Sequence, residues 1–162
     1  MTAQIHPSAR ISKLADIELS VRGSKLIVEA GAQIDSFVKI KFAGGDGDIR
    51  IGENTYLNSC CVLYSGHGIT IGDNVLVAAN CTLASTNHEY KDRNKPIRLQ
   101  GFRPSKGGIV IENDVWIGAN SVILDGTHIA NGCIVSAQSV VRGHLLEAGI
   151  YGGNPAQLIK KR

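Results

Sequence analysis

The sequence predicts an all-β fold, a parallel β-helix of hexapeptide repeats, and three observations support this prediction. Aliphatic residues recur at every sixth position over long stretches, a period that neither an amphipathic helix nor an isolated strand produces. The 162 residues include 31 Ile and Val but only 12 Leu, and β-branched side chains favour strands. There are also 19 glycines, which is above the usual ~7% and indicates many turns.

The six-residue spacing is clearest from Ile111 to Val141 and is repeated in earlier parts of the chain. Three hexapeptides form one triangular coil, and coils stack at the strand spacing of roughly 4.8 Å. Each coil then covers the apolar face of its neighbour, so we expect the repeated aliphatic side chains to point into the prism. These side chains are Ile5, Ile11, Ile17, Val28, Ile34, Ile40, Ile51, Leu57, Leu63, Ile71, Val77, Leu83, Ile111, Ile117, Ile123, Ile129, Val135 and Val141.

A second regular position lies four residues after many of these aliphatic residues and carries small side chains. Cys61, Cys81 and Cys133 occupy it, and a thiol there acts as a compact apolar filler. Cys60 is one residue out of phase and is expected to point away from the core. The cysteines have no C-x-x-C spacing, so the sequence predicts neither a zinc site nor a disulfide framework.

The chain is predicted to form one domain over residues 1–162, with a long interruption and a terminal cap. The repeat stops from about Glu89 to Gly108, in a segment rich in Lys and Arg, and an insertion of this length is typical of a functional loop. After Val141 the pattern fades, and residues 143–162 are predicted to form a C-terminal cap or tail.

Charge and hydropathy exclude several classes of protein. The net charge of +3 is too small to predict nucleic-acid binding, which requires clustered Lys and Arg. No apolar run approaches the ~18 residues that a membrane span requires. The first residues also lack the basic and hydrophobic regions of a signal peptide. We therefore expect a cytoplasmic protein that does not bind nucleic acid and does not span a membrane.

Four motifs in a fixed order give this sequence a family resemblance. They are IGDNVLVA at 71–78, TNH at 86–88, IENDVWIGA at 111–119 and GNPA at 153–156. In this order they resemble the hexapeptide-repeat acyltransferases of left-handed β-helix fold, most closely the sugar and polysaccharide O-acetyltransferases, including the galactoside and maltose enzymes. The resemblance covers the chain from about Ile49 onward, and residues 1–48 support the fold alone.

The resemblance implies an enzyme that transfers an acetyl group from acetyl-CoA to a carbohydrate hydroxyl. It implies a homotrimer with active sites between neighbouring prisms, no metal, and His88 as the general base. Imidazole accepts protons near neutral pH, so it can deprotonate a hydroxyl that attacks the thioester directly, without an acyl-enzyme. The acceptor is expected to be a surface polysaccharide, a lipopolysaccharide or a nucleotide-sugar precursor.

The resemblance also assigns further residues of the site. Asn58 matches an asparagine near the reacting centre, and Trp116 matches a tryptophan that walls it. Ala119 and Ala137 match small residues along which the CoA arm runs. For the CoA phosphates, Lys160 matches a basic residue, and Arg142 is a substitute for a lysine that this sequence lacks. Ser65 or Gly66 stands where many sugar enzymes have an acceptor-binding acid, which leaves galactoside or maltose specificity open.

Three other functions remain open at this point. The same base could serve an N-acetyltransferase that acts on an amino sugar. A non-catalytic β-helix scaffold is a second alternative, although such a protein has no need of the histidine-containing loop. A zinc carbonic-anhydrase-like protein is the third, and it requires three converging histidines, whereas Asp92 and Arg93 follow His88.

Overall fold

A computed structural model describes residues 2–162, which form 19 β-strands and one short 3-10 helix at Ile97–Leu99. The strands follow one another along the chain in the order in which they wind around the prism. They are β1 (Thr2–Ile5), β2 (Arg10–Ile11), β3 (Asp16–Glu18), β4 (Lys25–Val28), β5 (Gln33–Ile34), β6 (Lys39–Ile51), β7 (Tyr56–Leu57), β8 (Val62–Ile71), β9 (Leu76–Val77), β10 (Thr82–Ala84), β11 (Ile109–Ile111), β12 (Trp116–Ile117), β13 (Val122–Leu124), β14 (Thr127–Ile129), β15 (Ile134–Val135), β16 (Val140–Val141), β17 (His144–Leu145), β18 (Gly149–Gly153) and β19 (Ala156–Lys161).

Parallel pairing arranges these strands into three faces, which we call A, B and C in the order in which each coil visits them. Face A contains β1, β4, the second halves of β6 and β8, then β11, β14 and β17. Face B contains β2, β5, β7, β9, β12, β15 and β18. Face C contains β3, the first halves of β6 and β8, then β10, β13 and β16. The structure therefore confirms the predicted β-helix of hexapeptide repeats.

The core is the stack of aliphatic side chains that the six-residue spacing predicts. On face B, for example, Leu57 pairs with Val77, and Ile117 pairs with Val135. All four side chains are buried, as are the predicted positions from Val28 onward. In the first coil, by contrast, Ile5 is 46% exposed, because that coil is stacked on one side only.

The predicted small positions are also buried, and their polar atoms are satisfied by the backbone. Cys61 donates from Sγ to the Ala78 carbonyl oxygen at 3.1 Å, and Cys81 donates to the Gly118 carbonyl oxygen at 3.2 Å. Cys133 is buried, and Cys60 is exposed, as its phase predicts. All four cysteines are free thiols.

Two of the three corners turn through non-glycine residues with positive φ. Asn54, Asn74 and Asp114 adopt φ values of 54°, 56° and 54° at the corner between faces A and B. This left-handed conformation favours Asn and Asp, which explains why the repeat is rich in them. At the corner between faces B and C, one residue of each coil from the second to the sixth does the same, namely Phe37, Cys60, Asn80, Asn120 and Gln138. The corner between faces C and A carries the interruptions of the repeat.

The C-terminal segment closes the open end of the prism. Residues 144–153 continue the coil as β17 and β18, and β19 then turns back to pair antiparallel with β18. The ring of Tyr151 is buried there, and its hydroxyl donates to the Glu147 carbonyl oxygen at 2.9 Å. Within residues 2–162, no helix has the length and apolar character that crossing a bilayer requires.

Candidate active site

The long loop leaves the prism at the corner between faces C and A. Strand β10 ends at Ala84 on face C, and β11 begins at Ile109 on face A, so the loop covers residues 85–108 and starts four residues before the predicted interruption. It is ordered by its own polar contacts, because the amide group of Gln100 donates to the carbonyl oxygens of Asp92 and Lys95 at 2.8 and 2.7 Å. The predicted base, His88, lies in the first part of this loop.

His88 is held in a short antiparallel bridge with Phe102, where the two arms of the loop meet. The backbone N–H of Glu89 donates to the Gly101 carbonyl oxygen at 3.0 Å, and that of Arg103 donates to the Asn87 carbonyl oxygen at 2.8 Å. The rings of His88 and Phe102 lie 4.8 Å apart between centroids and are tilted by 32°. The imidazole is thus fixed through its backbone and one ring face, yet His88 is exposed and accessible to a substrate.

Phe102 connects this bridge to an earlier coil. Its ring packs directly on Gly44, where an added Cβ would lie 2.2 Å from Phe102 Cε2. Gly44 has φ +79°, so a side chain there would be excluded by backbone conformation as well as by space. Gly44 therefore provides the surface on which the loop packs through Phe102. The sequence pattern does not reveal this contact.

A buried carboxylate, Asp125, ties both ends of the loop to the prism. Its Oδ1 accepts a hydrogen bond from the Gly108 backbone N–H at 3.0 Å. Its Oδ2 accepts one from the Lys106 backbone N–H at 3.0 Å and a longer one from Asn87 Nδ2 at 3.4 Å. Because Asn87 precedes His88 directly, Asp125 helps to position His88 without contacting it.

Sequence reasoning missed Asp125, although a signal for it exists. It stands two residues after the repeat aliphatic Ile123, at the place that Ser65 and Ser85 occupy in other coils. All three side chains are buried at the corner between faces C and A, where backbone N–H groups of the interruptions need acceptors. Ser85, for instance, accepts from the N–H groups of Gly66 and His67. Buried polar side chains at this corner therefore mark the places where the chain leaves the prism.

A cleft of about 680 Å³ opens beside the imidazole. Arg103 crosses it, with its guanidinium carbon 5.1 Å from the centroid of the Tyr90 ring and its Nη1 donating to the Tyr90 hydroxyl at 3.2 Å. Glu89 faces the same guanidinium at 4.0 Å. The backbone N–H of Tyr90 donates to the Glu89 carboxylate and lowers its pKa, with Lys91 and Arg103 acting in the same direction. The cleft is lined by Asn87, His88, Glu89, Tyr90, Lys91, Arg103, Pro104 and Lys106.

Three of the other predicted site residues lie together at a different corner. Asn58, Ala119 and Ala137 follow the face B strands of their coils, at the corner between faces B and C. Backbone hydrogen bonds from Asn120 to Ala79 and from Gln138 to Ala119 stack the coils there. We call the part of this corner that carries Ala119 and Ala137 the small-residue strip. A role for this strip in binding the CoA arm stays a prediction.

Trp116 and Lys160 lie on face B and Arg142 on the corner between faces C and A. Trp116 is 51% exposed and stands in register between Leu76 and Ile134. Lys160 pairs with Ile150 in the closing antiparallel strand. Within one copy of the chain, the structure thus distributes the predicted residues over two corners and face B, and it places Arg142 and Lys160 on different sides of the prism.

The histidines do not converge as the carbonic-anhydrase alternative requires. His67 Nε2 is buried and has no hydrogen-bond partner among residues 2–162, whereas His88 is exposed. His128 donates or accepts at 2.7 Å with Glu112 on face A, away from the loop. Over the described part of the chain, no group of three or more His, Cys, Asp or Glu residues is placed to hold a metal ion.

Comparison with known proteins gives two matches to family models. Residues 108–143 match the model described as bacterial transferase hexapeptide (six repeats). Residues 48–85 match the model described as hexapeptide repeat of succinyl-transferase. The two matches lie on either side of the loop, on the regular coils that precede and follow it.

Two Escherichia coli proteins are similar in sequence. The putative lipopolysaccharide biosynthesis O-acetyl transferase WbbJ is 31% identical over 144 residues, which cover 86% of this chain and 70% of WbbJ. Galactoside O-acetyltransferase is 33% identical over 115 residues, covering 70% of this chain. The chain spans only 54% of that enzyme's length.

A solved structure is similar over nearly the whole chain. It is that of AntD, an N-acyltransferase from Bacillus cereus, in complex with dTDP and 3-hydroxybutyryl-CoA. The TM-score is 0.79 at 26% sequence identity, and the match covers 96% of this chain and 81% of AntD. This likeness confirms the left-handed parallel β-helix that the sequence predicts.

Proposed function

Because the chain belongs to the hexapeptide-repeat family of bacterial transferases, we propose that it transfers an acetyl group from acetyl-CoA to a hydroxyl group of a carbohydrate. The observation that carries this proposal is the placement of His88. It lies at the start of a loop inserted between regular coils, held at its backbone and open to a cleft of about 680 Å³. Membership of the family confirms the resemblance predicted from the motifs.

The chemistry requires one proton acceptor near a hydroxyl and a thioester. His88 takes the proton from the acceptor hydroxyl as its oxygen forms a bond to the acetyl carbonyl carbon. The carbon–sulfur bond then breaks, and His88 returns the proton to the departing sulfur, so that CoA leaves as a thiol. Phe102 and the bridge at Asn87 and Arg103 keep the imidazole in one orientation during both transfers. A general base of this kind contributes about 10²–10⁴-fold to the rate.

The predicted site is completed by a second copy of the chain in this proposal. His88 lies at the corner between faces C and A, whereas Asn58, Ala119 and Ala137 lie at the corner between faces B and C, with Trp116 on face B. One prism does not bring these corners together, but neighbouring prisms in a cyclic trimer can. The proposed assembly is therefore a homotrimer with His88 of one copy facing the small-residue strip of the next.

Two sequence relatives support the proposal of a hydroxyl acceptor. Both E. coli relatives are named as O-acetyltransferases, at 31% and 33% identity. AntD acts on nitrogen and is similar at 26% identity. The two products differ in chemistry, because mild alkali cleaves an ester and leaves an amide intact. The proposed location is the cytoplasm, where acetyl-CoA is available to the enzyme.

The central experiment measures thiol release from acetyl-CoA with a panel of sugars, nucleotide sugars and oligosaccharides, with products identified by mass spectrometry. We expect His88→Ala to lower turnover by about 10²–10⁴-fold while it retains the circular dichroism spectrum and oligomeric state of the unmodified protein. His144→Ala, which changes an exposed histidine of β17, is the matched control and should retain full activity. Near-normal turnover of His88→Ala with the best acceptor would refute the proposal.

The trimeric site is tested by mixing two inactive variants. Ala119→Trp fills the small-residue strip, and His88→Ala removes the base. When the two are unfolded together and refolded, some interfaces combine an intact His88 with an intact strip from the other copy. Recovery of activity in the mixture supports a shared site, whereas a mixture as inactive as its parents contradicts it.

A further inference from the structure

The cleft at His88 carries more positive charge than acetyl transfer to a neutral hydroxyl needs. Three of its lining side chains are cationic, Lys91, Arg103 and Lys106, against one carboxylate, that of Glu89. Building on the proposed function, we propose that the acceptor is an acidic sugar, whose carboxylate or phosphate group binds these cations while a nearby hydroxyl faces His88. The proposal names a substrate class and assigns the three cationic residues to acceptor binding.

Arg103 is arranged to bind an anion. Its backbone is fixed by the hydrogen bond to Asn87, and its guanidinium lies over the Tyr90 ring. A guanidinium presents five N–H donors in a planar fork that matches a carboxylate or a phosphate. The Tyr90 hydroxyl occupies one of these donors, and Glu89 stays 4.0 Å away, so donors remain for a ligand. The side chain is 31% exposed and can therefore be reached from the cleft.

Lys106 is also held in place. Its backbone N–H donates to the buried Asp125 at 3.0 Å. The stem of its side chain lies along Gly126, where an added Cβ would be 2.8 Å from Lys106 Cβ and 3.5 Å from its Cδ. Gly126 thus provides the space in which the lysine stem rests, with the ammonium group left to the cleft. Restricting the stem in this way lowers the entropy that binding an anion would otherwise cost.

The position of these cations beside the base argues for the acceptor rather than for CoA. In CoA the phosphates are separated from the thioester by the whole pantetheine arm. An imidazole that reaches the thioester carbonyl is therefore remote from the phosphates of the same molecule. Arg103 and Lys106 line the same cleft as His88, so an anion that they bind must belong to the molecule that carries the reacting hydroxyl.

The test compares matched acceptors in the unmodified protein. Methyl glucoside is the neutral acceptor, methyl glucuronide adds a carboxylate, and glucose 1-phosphate adds a phosphate. We expect at least one acidic acceptor to have kcat/KM about tenfold or more above the neutral one, and the carboxylate and phosphate arms identify which anion is preferred. We also expect the KM for that acceptor to rise with ionic strength, because salt screens exposed charges.

Charge-removing variants then locate the effect. Lys106→Gln should raise the KM for the preferred acidic acceptor about 5- to 10-fold while leaving its KM for acetyl-CoA unchanged. The control is Lys95→Gln, which removes the same charge from the same loop but lies in a neighbouring depression rather than in the cleft of His88. This control should leave both KM values unchanged. Arg103→Lys, which keeps the charge and loses the planar fork, should also raise the KM for the acidic acceptor.

Two outcomes would overturn the inference while leaving the proposed function intact. The first is acetyl transfer to neutral and acidic acceptors with equal kcat/KM. The second is a rise in the KM for acetyl-CoA, rather than for the acceptor, in Lys106→Gln. Failure of the proposed function has a different signature, since no sugar of either charge would then release thiol above the rate of His88→Ala.

Discussion

The loop that carries His88 depends on Asp125, and removing the Asp125 carboxylate should open the loop without unfolding the prism. In Asp125→Ala, the backbone N–H groups of Lys106 and Gly108 lose acceptors at 3.0 Å. A hydrogen bond to a charged acceptor contributes roughly 1.5–3 kcal/mol. Lys106 is exposed, so water can replace its partner, whereas Gly108 is buried and its N–H is left unsatisfied.

The free energy that favours loop closure should therefore fall by about 2–3 kcal/mol. This is close to the contribution of one charged hydrogen bond, with a small addition from Asn87 at 3.4 Å. This corresponds to a rise of about 30- to 150-fold in the open population. Hydrogen exchange measured by mass spectrometry reports that population directly. The informative amides are those of Glu89 and Arg103, which bond across the base of the loop.

We expect these amides to exchange about 30- to 150-fold faster in Asp125→Ala, while the amides of β12 and β15 keep their protection. Turnover should fall because His88 follows Asn87 and loses its fixed position. Asp73→Ala is the control, since Asp73 accepts the Glu53 backbone N–H at 2.8 Å at another corner of the prism. Unchanged loop exchange in Asp125→Ala, or equal acceleration in the core strands, would refute the assignment of Asp125 as a loop anchor.

Three further predictions concern the prism itself. Gly118→Ala should lower the free energy of unfolding by about 2–4 kcal/mol in chemical denaturation, because a Cβ there would lie 2.5 Å from the Ala137 backbone nitrogen. An unchanged denaturation midpoint would show that neighbouring coils can move apart to accept the side chain. Tyr151→Phe should lower the free energy of unfolding by about 1 kcal/mol, because it removes the hydrogen bond to Glu147, and the melting temperature should fall slightly. Tyr151→Ala should lower the free energy of unfolding by about 3–5 kcal/mol, because the ring fills the end of the prism. Equal effects of the two variants would contradict these separate roles of the hydroxyl and the ring. The Ser36 backbone N–H lowers the pKa of Asp35 from 3.8, and Ser59 and Tyr56 also donate hydrogen bonds to this carboxylate. The ionised carboxylate therefore stabilises the fold above pH 3.8, and this stabilisation is lost as pH falls through the lower folded-state pKa. Thermal melts of Asp35→Asn should show a smaller decrease in stability on acidification than melts of the unmodified protein.

Much of the core could be predicted from the six-residue spacing, although Leu26, Ile49, Ile69 and Ile109 are also fully buried and lie outside that series. An aliphatic side chain at every sixth position points inward whenever three strands make one coil, and Ile117, Ile123 and Ile129 are all buried as expected. The small positions follow from the same geometry, since Cys61, Cys81 and Cys133 fill the narrow interior. The predictions weaken at the first coil, where Ile5 has the right spacing but only one stacked neighbour to cover it.

The residues that turn the corners follow less directly from the sequence. Asn54 and Asn74 adopt positive φ. In the later coils, however, Asp114 and Gly132 take this conformation in place of the neighbouring Asn113 and Asn131. Asn113 instead accepts the Asp73 backbone N–H at 2.7 Å through its side chain. The Asn and Asp content indicates that a corner is present, whereas the position of each residue in the coil determines which one adopts positive φ.

The candidate site was predicted only in part. The order of the motifs pointed to His88, and the comparisons confirm the acetyltransferase class, whereas the role of His88 as a base stays a prediction. The roles of Asn58, Trp116, Ala119, Ala137, Arg142 and Lys160 stay predictions, because their functions depend on contacts with CoA and with neighbouring copies. Phe102, Gly44 and Asp125 were missed, although together they hold the loop in place.

The amino-acid sequence by itself determined the prism, because a strict six-residue period has one economical way of burying its apolar groups. It also indicated that the repeat is interrupted by a long segment close to His88. Only the tertiary structure decided how the loop closes on Gly44 and Asp125. Those contacts join residues that lie far apart in the chain, and their meeting depends on how coils stack and on the path that a segment without periodicity takes between them.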